Sequence, residues 1–243
     1  MKIIDVNMSI GHRDHNGKIV TTESLLALME DYHIDHAVCY HAHTWLDPRD
    51  GNTKMAKIAE ASNGKLGLCL MLDPILGADN LPGEGSLQQR IAAMRPECLR
   101  VFPKMNRVPF HPFYWEEILD AANALGLPLL IDEPYKPEFF CQLPAISEQY
   151  PNIQFILIEQ GCCEGRRIFP LAQKCKNVYF TCERMLDNQQ IEELEARGCS
   201  EKLLFGSGYP NRPHAGALGL VLYANISQEN REKILHKNWE AMV

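Results

Sequence analysis

The sequence predicts an α/β fold built as one (β/α)8 barrel, or TIM barrel, and three observations support this prediction. Short apolar or β-branched runs alternate with longer amphipathic runs, and the alternation repeats eight times. Most of the apolar runs are hydrophobic throughout, as parallel strands buried on both faces must be. Eight such units at roughly 30 residues each fill the chain. We therefore expect a compact single domain over residues 1–243, without a linker.

The elements follow in a regular order along the chain. The predicted strands are residues 2–6, 36–39, 66–72, 98–102, 127–132, 153–159, 178–182 and 202–206. Apolar residues at helical spacing predict helices in the segments SLLALMEDY, KMAKIAEA, SLQQRIAAM, YWEEILDAANALG, LAQKC, QQIEELEARG and SQENREKILHKNWEAMV. Gly126 and Gly198 end two of these segments as C-terminal cap glycines.

The charge, the length of the apolar runs and the spacing of the cysteines exclude several classes of partner and location. The net charge is −7 and no basic run occurs, so nucleic acid and anionic membranes are not expected partners. No apolar stretch approaches the ~20 residues that span a bilayer, and no leader pattern precedes the first strand, so we expect a soluble, cytoplasmic protein. The nine cysteines lack CxxC spacing and are interpreted as reduced thiols. Cys162 and Cys163 are either small buried residues at a helix start or an oxidisable, metal-binding pair.

The predicted strand ends carry an unusually polar set of side chains. In a (β/α)8 barrel, chemistry takes place at the carboxyl ends of the strands and in the loops that follow them, here called the mouth. The set consists of Asn7, Ser9, His41, His43, Asp73, Arg100, Asp132, Glu133, Glu159, Cys182, Glu183, Ser207 and Tyr209. The sequence therefore predicts a site for a small-molecule substrate.

Six segments carry a resemblance to a known family. IIDVNMSIG, LGLPLLID, YPNIQFILIEQG, NVYF, LLFGSGYP and KILHKNWEAM resemble, in order, the signatures of the amidohydrolase-2 family of metal-dependent barrel hydrolases and decarboxylases. The resemblance implies a His-x-His pair ending the first strand, histidines ending the fifth and sixth, and an aspartate in the eighth. Those positions hold Asn7, Ser9, Asp132, Glu159 and Gly208.

These replacements predict a divergent site. An amide and a hydroxyl are poor zinc, iron or manganese ligands, and Gly208 has no side chain to take a proton from a nucleophilic water. The resemblance implies hydrolysis of a small, carboxylated or cyclic molecule, with decarboxylation as the alternative reaction. A noncatalytic barrel that binds a ligand or serves as a scaffold is the competing interpretation.

One interpretation of the site needs no cofactor. Glu159 and Asp132 form an acid/base pair, and Arg100 binds the substrate carboxylate. A buried ion pair between Glu159 and Arg100 is the structural alternative. The expected substrate-binding residues are Asn7, Ser9, His41, His43, Glu133 and Tyr209.

A second interpretation places a divalent metal at an altered site. His41 and His43 form a new His-x-His pair that shares a cation with Glu159 or Glu133, or oxygens of Asn7, Asp132 and Glu159 bind magnesium or calcium. The segment GHRDH, residues 11–15, either contacts substrate or is an ordinary polar loop. The aromatic segment 110–115 is expected in the core, in a pocket wall or in a contact of a homo-oligomer.

Overall fold

The computed structural model describes residues 1–132, 139–159 and 165–243 of the chain. Its sheet has eight parallel strands in the order in which they occur in the sequence. The strands are β1 (Ile4–Ile10), β2 (His36–His41), β3 (Leu66–Met71), β4 (Cys98–Val101), β5 (Leu129–Ile131), β6 (Phe155–Leu157), β7 (Val178–Thr181) and β8 (Leu203–Leu204). All eight predicted strands are present, which confirms the fold class.

Backbone hydrogen bonds between β1 and the segment after β8 bring the two ends of the sheet together. Val6 N–H donates to the carbonyl of Phe205, Gly208 N–H to Asn7, and Ser9 N–H to Tyr209, each at 3.0 Å. The sheet is therefore a nearly closed barrel, and its eighth side continues as paired, extended chain beyond the short β8.

Helices cover the outside of the barrel. They are α1 (Thr22–Asp31), α2 (Pro48–Ala61), α3 (Leu87–Met94), α4 (Pro103–Asn106), α5 (Pro112–Leu125), α6 (Phe139–Gln149), α7 (Gly165–Lys174), α8 (Gln190–Ala196), α9 (His214–Tyr223), α10 (Gln228–Glu232) and α11 (Asn238–Glu240). Gly126 ends α5 at φ +66°, as predicted for a C-terminal cap glycine.

Three of the described helices, α4, α6 and α9, were not predicted, and each has a physical reason. The four-residue α4 is too short to show helical periodicity. Pro144 lies inside α6, where its missing N–H removes a helical hydrogen bond. The helix α9, HAGALGLVLY, is apolar around most of its circumference and carries two glycines, so it lacks an amphipathic stripe. The predicted C-terminal helix is real but is interrupted by a π-helical turn over Lys233–Lys237.

The core has two layers, as expected of a barrel. An inner cluster inside the sheet includes Val6, Tyr40, Met71 and Ile156, and Trp239 joins it from α11. The larger outer cluster packs the other face of the strands against the helices. The polar groups described below therefore lie above a closed apolar interior. Across the described ranges, no helix is long and apolar enough to cross a bilayer.

Candidate active site in the barrel mouth

A bulge in β1 sets the direction of Asn7. The parallel register with β2 shifts between Asp5 and Met8, so Val6 and Asn7 both face the interior although they are neighbours in sequence. Asp5 fixes this geometry because its Oδ1 accepts the backbone N–H groups of Asn7 and Ser207, each at 3.0 Å. Asn7 is buried, and its amide lies between the two charged groups described next.

Arg100 of β4 is the buried cation of the mouth. Its side chain is only 4 % exposed. Nε donates to Oδ2 of Asp132 at 3.0 Å, Nη2 donates to the same oxygen, and Nη1 donates to Asn7 Oδ1 at 2.8 Å. The guanidinium carbon lies 4.5 Å from the ring centroid of Tyr40 and 4.9 Å from that of Phe102. Burial is the largest influence and lowers the pKa of Arg100, but the charge and hydrogen bonds of Asp132 together with Tyr40 and Cys69 outweigh it, so the pKa is raised and the group stays cationic.

Glu183, just after β7, is held on the opposite side of Asn7. Its Oε1 accepts from Asn7 Nδ2 at 2.8 Å, from Thr181 Oγ1 at 2.9 Å and from the backbone N–H of Glu159 at 3.2 Å. Its Oε2 is buried and has no hydrogen-bond partner among the described residues. Burial, and then the charge of Glu159, raise the pKa of Glu183 to about 7 against the opposing hydrogen bonds. Oε2, which accepts from no donor among the described residues, is therefore the oxygen available to carry the proton of the neutral acid.

Glu159, just after β6, pairs with a second arginine. Its Oε2 accepts from Arg212 Nε at 3.2 Å and from Nη2 at 3.1 Å. Gly208 makes room for this pair, because a Cβ built there would lie 3.3 Å from Arg212 Cδ and 3.4 Å from Glu159 Oε1. The backbone of Gly208 is also left-handed, at φ +71°. The Glu159–Arg212 pair thus lies against the position where the resemblance implies an aspartate.

We expect Gly208→Asp to destabilise the fold by about 2 kcal/mol, because a positive φ strains any side chain and a third charge approaches Glu159. Urea unfolding at pH 7 measures the change. Gly208→Ala is the control, since it adds the Cβ without the charge. Aspartate tolerates left-handed backbone better than alanine does. If Gly208→Asp loses more stability than Gly208→Ala, the extra loss measures the repulsion between the new carboxylate and Glu159. If Gly208→Asp is the more stable of the two variants, this repulsion is contradicted.

Aromatic rings and histidines line the side of the mouth formed by β1 and β2. His12 Nε2 lies 3.2 Å from the hydroxyl of Tyr40, and its ring centroid is 4.7 Å from that of Trp45. Burial, followed by the charges of Arg100 and His41, lowers the pKa of His12 to about 4, so this ring is neutral at physiological pH.

The two histidines predicted to orient substrate or bind metal are engaged locally. His41 Nδ1 accepts the backbone N–H of His43 at 3.0 Å, and His43 Nε2 lies 3.0 Å from Asp50 Oδ2. Burial, Lys54 and His43 lower the pKa of His41. These contacts hold both rings in the turn that precedes α2, Pro48–Ala61.

The predicted site residues at the strand ends belong to two separate sets of side-chain contacts. It brings Arg100, Asp132 and Asn7 into one network, while Glu159 belongs to a separate ion pair. The predicted alternative of a Glu159–Arg100 pair is therefore wrong: Arg100 pairs with Asp132, and Glu159 pairs with Arg212. Two further predicted residues, Ser9 and Tyr209, are buried beside the junction of β1 with the chain after β8. Glu133, Cys162 and Cys163 lie outside the described residues.

Two side chains of the mouth, Glu183 and Arg212, are not among the site residues predicted from the sequence. Glu183 is one of many polar residues at strand ends, and what distinguishes it is that, among the described carboxylates of that set, it alone is buried. Arg212 lies in the loop after β8 and was not selected, although a basic residue following GSGYP was a usable signal. Asn7, which contacts Glu183, and Arg212, which contacts Glu159, are both distant in sequence from those carboxyls.

A family model described as Amidohydrolase matches residues 88–242, which is more than half of the chain. The chain belongs to the amidohydrolase family. The match contains Arg100, Asp132, Glu159 and Gly208 but begins after Asn7 and Ser9, the two residues that depart from the implied His-x-His pair. No curated protein sequence matches this family member significantly.

Solved structures with the same fold cover almost the whole of this amidohydrolase. An uncharacterized TIM-barrel protein from Bordetella bronchiseptica is 15% identical, with a TM-score of 0.79 over 100% of this chain and 98% of that chain. A 2,6-dihydroxybenzoate decarboxylase from Rhizobium is 13% identical, with a TM-score of 0.76 over 99% and 97%. A manganese-bound 5-carboxyvanillate decarboxylase from Novosphingobium aromaticivorans is 11% identical, with a TM-score of 0.77 over 98% and 95%. At these identities the likeness shows the fold alone.

The donors of this amidohydrolase do not fit a metal ion at the implied position. Both functional ends of the Asn7 amide are used, one by a guanidinium and one by a carboxyl, and Asp132 already neutralises that guanidinium. A divalent ion placed among these groups would meet the charge of Arg100. Within residues 1–132, 139–159 and 165–243, no group of three or more His, Cys, Asp or Glu side chains is arranged to hold a metal. The predicted set of His41, His43 and Glu159 is therefore not assembled there.

Proposed function

We propose that this amidohydrolase hydrolyses a small carboxylated or cyclic molecule by carboxylic acid/base chemistry, without the metal centre that the resemblance implies. The observation that carries the proposal is the buried Glu183 carboxyl. It is fixed by three donors through Oε1, lacks a described partner at Oε2, and has a pKa of about 7. A carboxyl that titrates near neutral pH is suited to exchanging a proton with water or substrate.

The acid/base role is assigned to Glu183 rather than to the carboxyls of Asp132 and Glu159. Each of those carboxylates is engaged by its own guanidinium, whose N–H groups occupy the carboxylate oxygen that faces it. In the proposed reaction, ionised Glu183 takes a proton from water as the water attacks a carbonyl carbon. The protonated Glu183 then returns the proton to the leaving oxygen or nitrogen.

Arg212 is proposed to bind the substrate carboxylate. The guanidinium of Arg100 is enclosed and matched by Asp132, whereas the Arg212 side chain is 35 % exposed while it contacts Glu159. An exposed, planar guanidinium is suited to bidentate binding of a carboxylate. Arg100 is assigned a positioning role, because it acts on Glu183 through Asn7.

Chelator-treated protein is expected to hydrolyse a member of a panel of carboxylated esters, lactones and amides, with turnover rising as pH rises through about 7 and Glu183 ionises. Glu183→Gln should lower turnover at least 100-fold, as general-base removal typically does. The matched control is Glu97→Gln, since Glu97 contacts His36 away from the mouth. Product analysis by mass spectrometry identifies the reaction.

Three results would contradict the proposal. Folded protein that turns over no panel member favours the noncatalytic barrel. Turnover that requires added divalent metal excludes the metal-independent mechanism. Carbon dioxide release from carboxylated aromatics would favour decarboxylation, the activity named for the structural neighbours from Rhizobium and Novosphingobium aromaticivorans.

A further inference from the structure

The mouth contains an oxygen-rich set of groups assembled from three strands. Asn7 comes from β1, Asp132 follows β5 and Glu183 follows β7. The amide of Asn7 donates directly to Glu183, and its oxygen accepts from Arg100, which in turn donates to Asp132. Two carboxyl groups and an amide oxygen are donors that hard divalent cations prefer. Here, however, the oxygens of Asn7 and Asp132 face a cation that belongs to the chain itself.

The guanidinium is fixed from several directions. Asp132 Oδ2 accepts two of its N–H groups, Asn7 Oδ1 accepts a third, and the rings of Tyr40 and Phe102 pack against its face. The planar group matches this arrangement in a way that the single ammonium of lysine would not. Its almost complete burial means that the positive charge is a permanent part of the interior.

We propose that the Arg100 guanidinium is the built-in cation of this barrel mouth, binding the Asn7 and Asp132 oxygens that would otherwise be available to a divalent ion. This role of Arg100 in cation binding does not depend on whether the protein hydrolyses a substrate.

The charges of the neighbouring residues agree with a monovalent cation. One positive charge balances one carboxylate, and Asp132 takes that place. Asn7, the group between Arg100 and Glu183, is neutral and presents oxygen to the cation and N–H to the carboxyl. The donors that the described part of the chain offers to Glu183, from Asn7, Thr181 and the backbone of Glu159, are all neutral.

Removal of the guanidinium should convert the mouth into a divalent-cation site. In Arg100→Ala, Asp132 Oδ2 and Asn7 Oδ1, the two oxygens that accept from the guanidinium, would line the vacated volume, with the Glu183 carboxyl on the far side of the Asn7 amide. Titration with Mn²⁺, followed by calorimetry and by the electron paramagnetic resonance signal of free Mn²⁺, should show one ion per chain bound at least tenfold more tightly than by the wild type. The variant should also melt at a higher temperature with Mn²⁺ than with chelator.

Two variants control for charge and for lost stability. Arg100→Lys retains a positive charge and should gain no affinity for Mn²⁺. Arg231→Ala removes a different arginine, one that donates to the carbonyls of Val221 and Ala224, and should be destabilised without gaining such affinity. If Arg100→Ala unfolds in chelator, recovery of the fold in Mn²⁺ alone supports the proposal.

Either of two results overturns it. The first is a wild-type protein that binds Mn²⁺ as tightly as Arg100→Ala. The second is an Arg100→Ala protein that binds Mn²⁺ no more tightly than the wild type does and melts at the same temperature in Mn²⁺ as in chelator. None of these measurements involves turnover, so their failure is separable from failure of the proposed hydrolysis.

Discussion

Asp132→Ala is expected to lower the free energy of unfolding by about 3 kcal/mol, because it leaves the buried charge of Arg100 without its counter-ion. The loss lies at the lower end of the range for such pairs for two reasons. Asp132 is 18 % exposed, which lets water reach the site, and Asn7 and the Tyr40 ring still contact the guanidinium. Urea unfolding at pH 7 measures the difference.

Two further variants separate the charge from the hydrogen bonds. Asp132→Asn retains an oxygen that can accept from Arg100, so it should lose less than Asp132→Ala. Replacing Arg100 and Asp132 together by leucine removes both charges, and such replacements are often nearly neutral. The double variant should therefore be more stable than Asp132→Ala. If Asp132→Ala instead unfolds within 1 kcal/mol of the wild type, the guanidinium is solvated and Arg100 is not a buried cation.

The fold could be predicted because its signals are local and repeated. Each strand is an apolar run short enough to cross the barrel once, and each intervening helix carries a stripe of apolar residues, except where Pro144 or the glycines of α9 disturb it. The same pattern placed Asn7, Arg100 and Asp132 at one rim, because the carboxyl ends of parallel strands meet there.

The partners within the rim could not be predicted in the same way. Whether Arg100 pairs with Asp132 or with Glu159 depends on distances of a few ångströms, which hydrophobic periodicity does not encode. The β1 bulge adds to this, since it turns Asn7 inward beside Val6 and out of simple alternation. The importance of Glu183 follows from burial, which depends on the packing of every surrounding strand.

Glu183→Gln is expected to make the fold more stable than the wild type at pH 8 and to lose that advantage at pH 4. The folded-state pKa of Glu183 is about 7, above its ordinary value of 4.5, so the folded protein holds this proton more tightly than the unfolded chain does. As pH rises from 4.5 to 7 the unfolded chain releases the proton first, and the wild type loses stability. The full penalty above pH 7 is about 3 kcal/mol.

Glutamine tests this directly because it keeps the oxygen that accepts from Asn7 and Thr181 but cannot ionise. Urea unfolding between pH 4 and pH 8 should show that the free energy of unfolding of the variant, relative to that of the wild type, increases as the pH rises. Glu195→Gln is the control, since hydrogen bonds from Asn230 and Ser227 lower the pKa of Glu195: this variant should be less stable than the wild type by an amount that stays constant from pH 8 down to about 4.5 and shrinks only below that pH. A Glu183→Gln difference that is independent of pH would mean that Glu183 ionises normally, and the acid/base role would lose its basis. A pH-dependent gain would instead show that the native carboxyl destabilises the fold at the pH where it is proposed to act as a base, as a functional group placed in a buried site is expected to do.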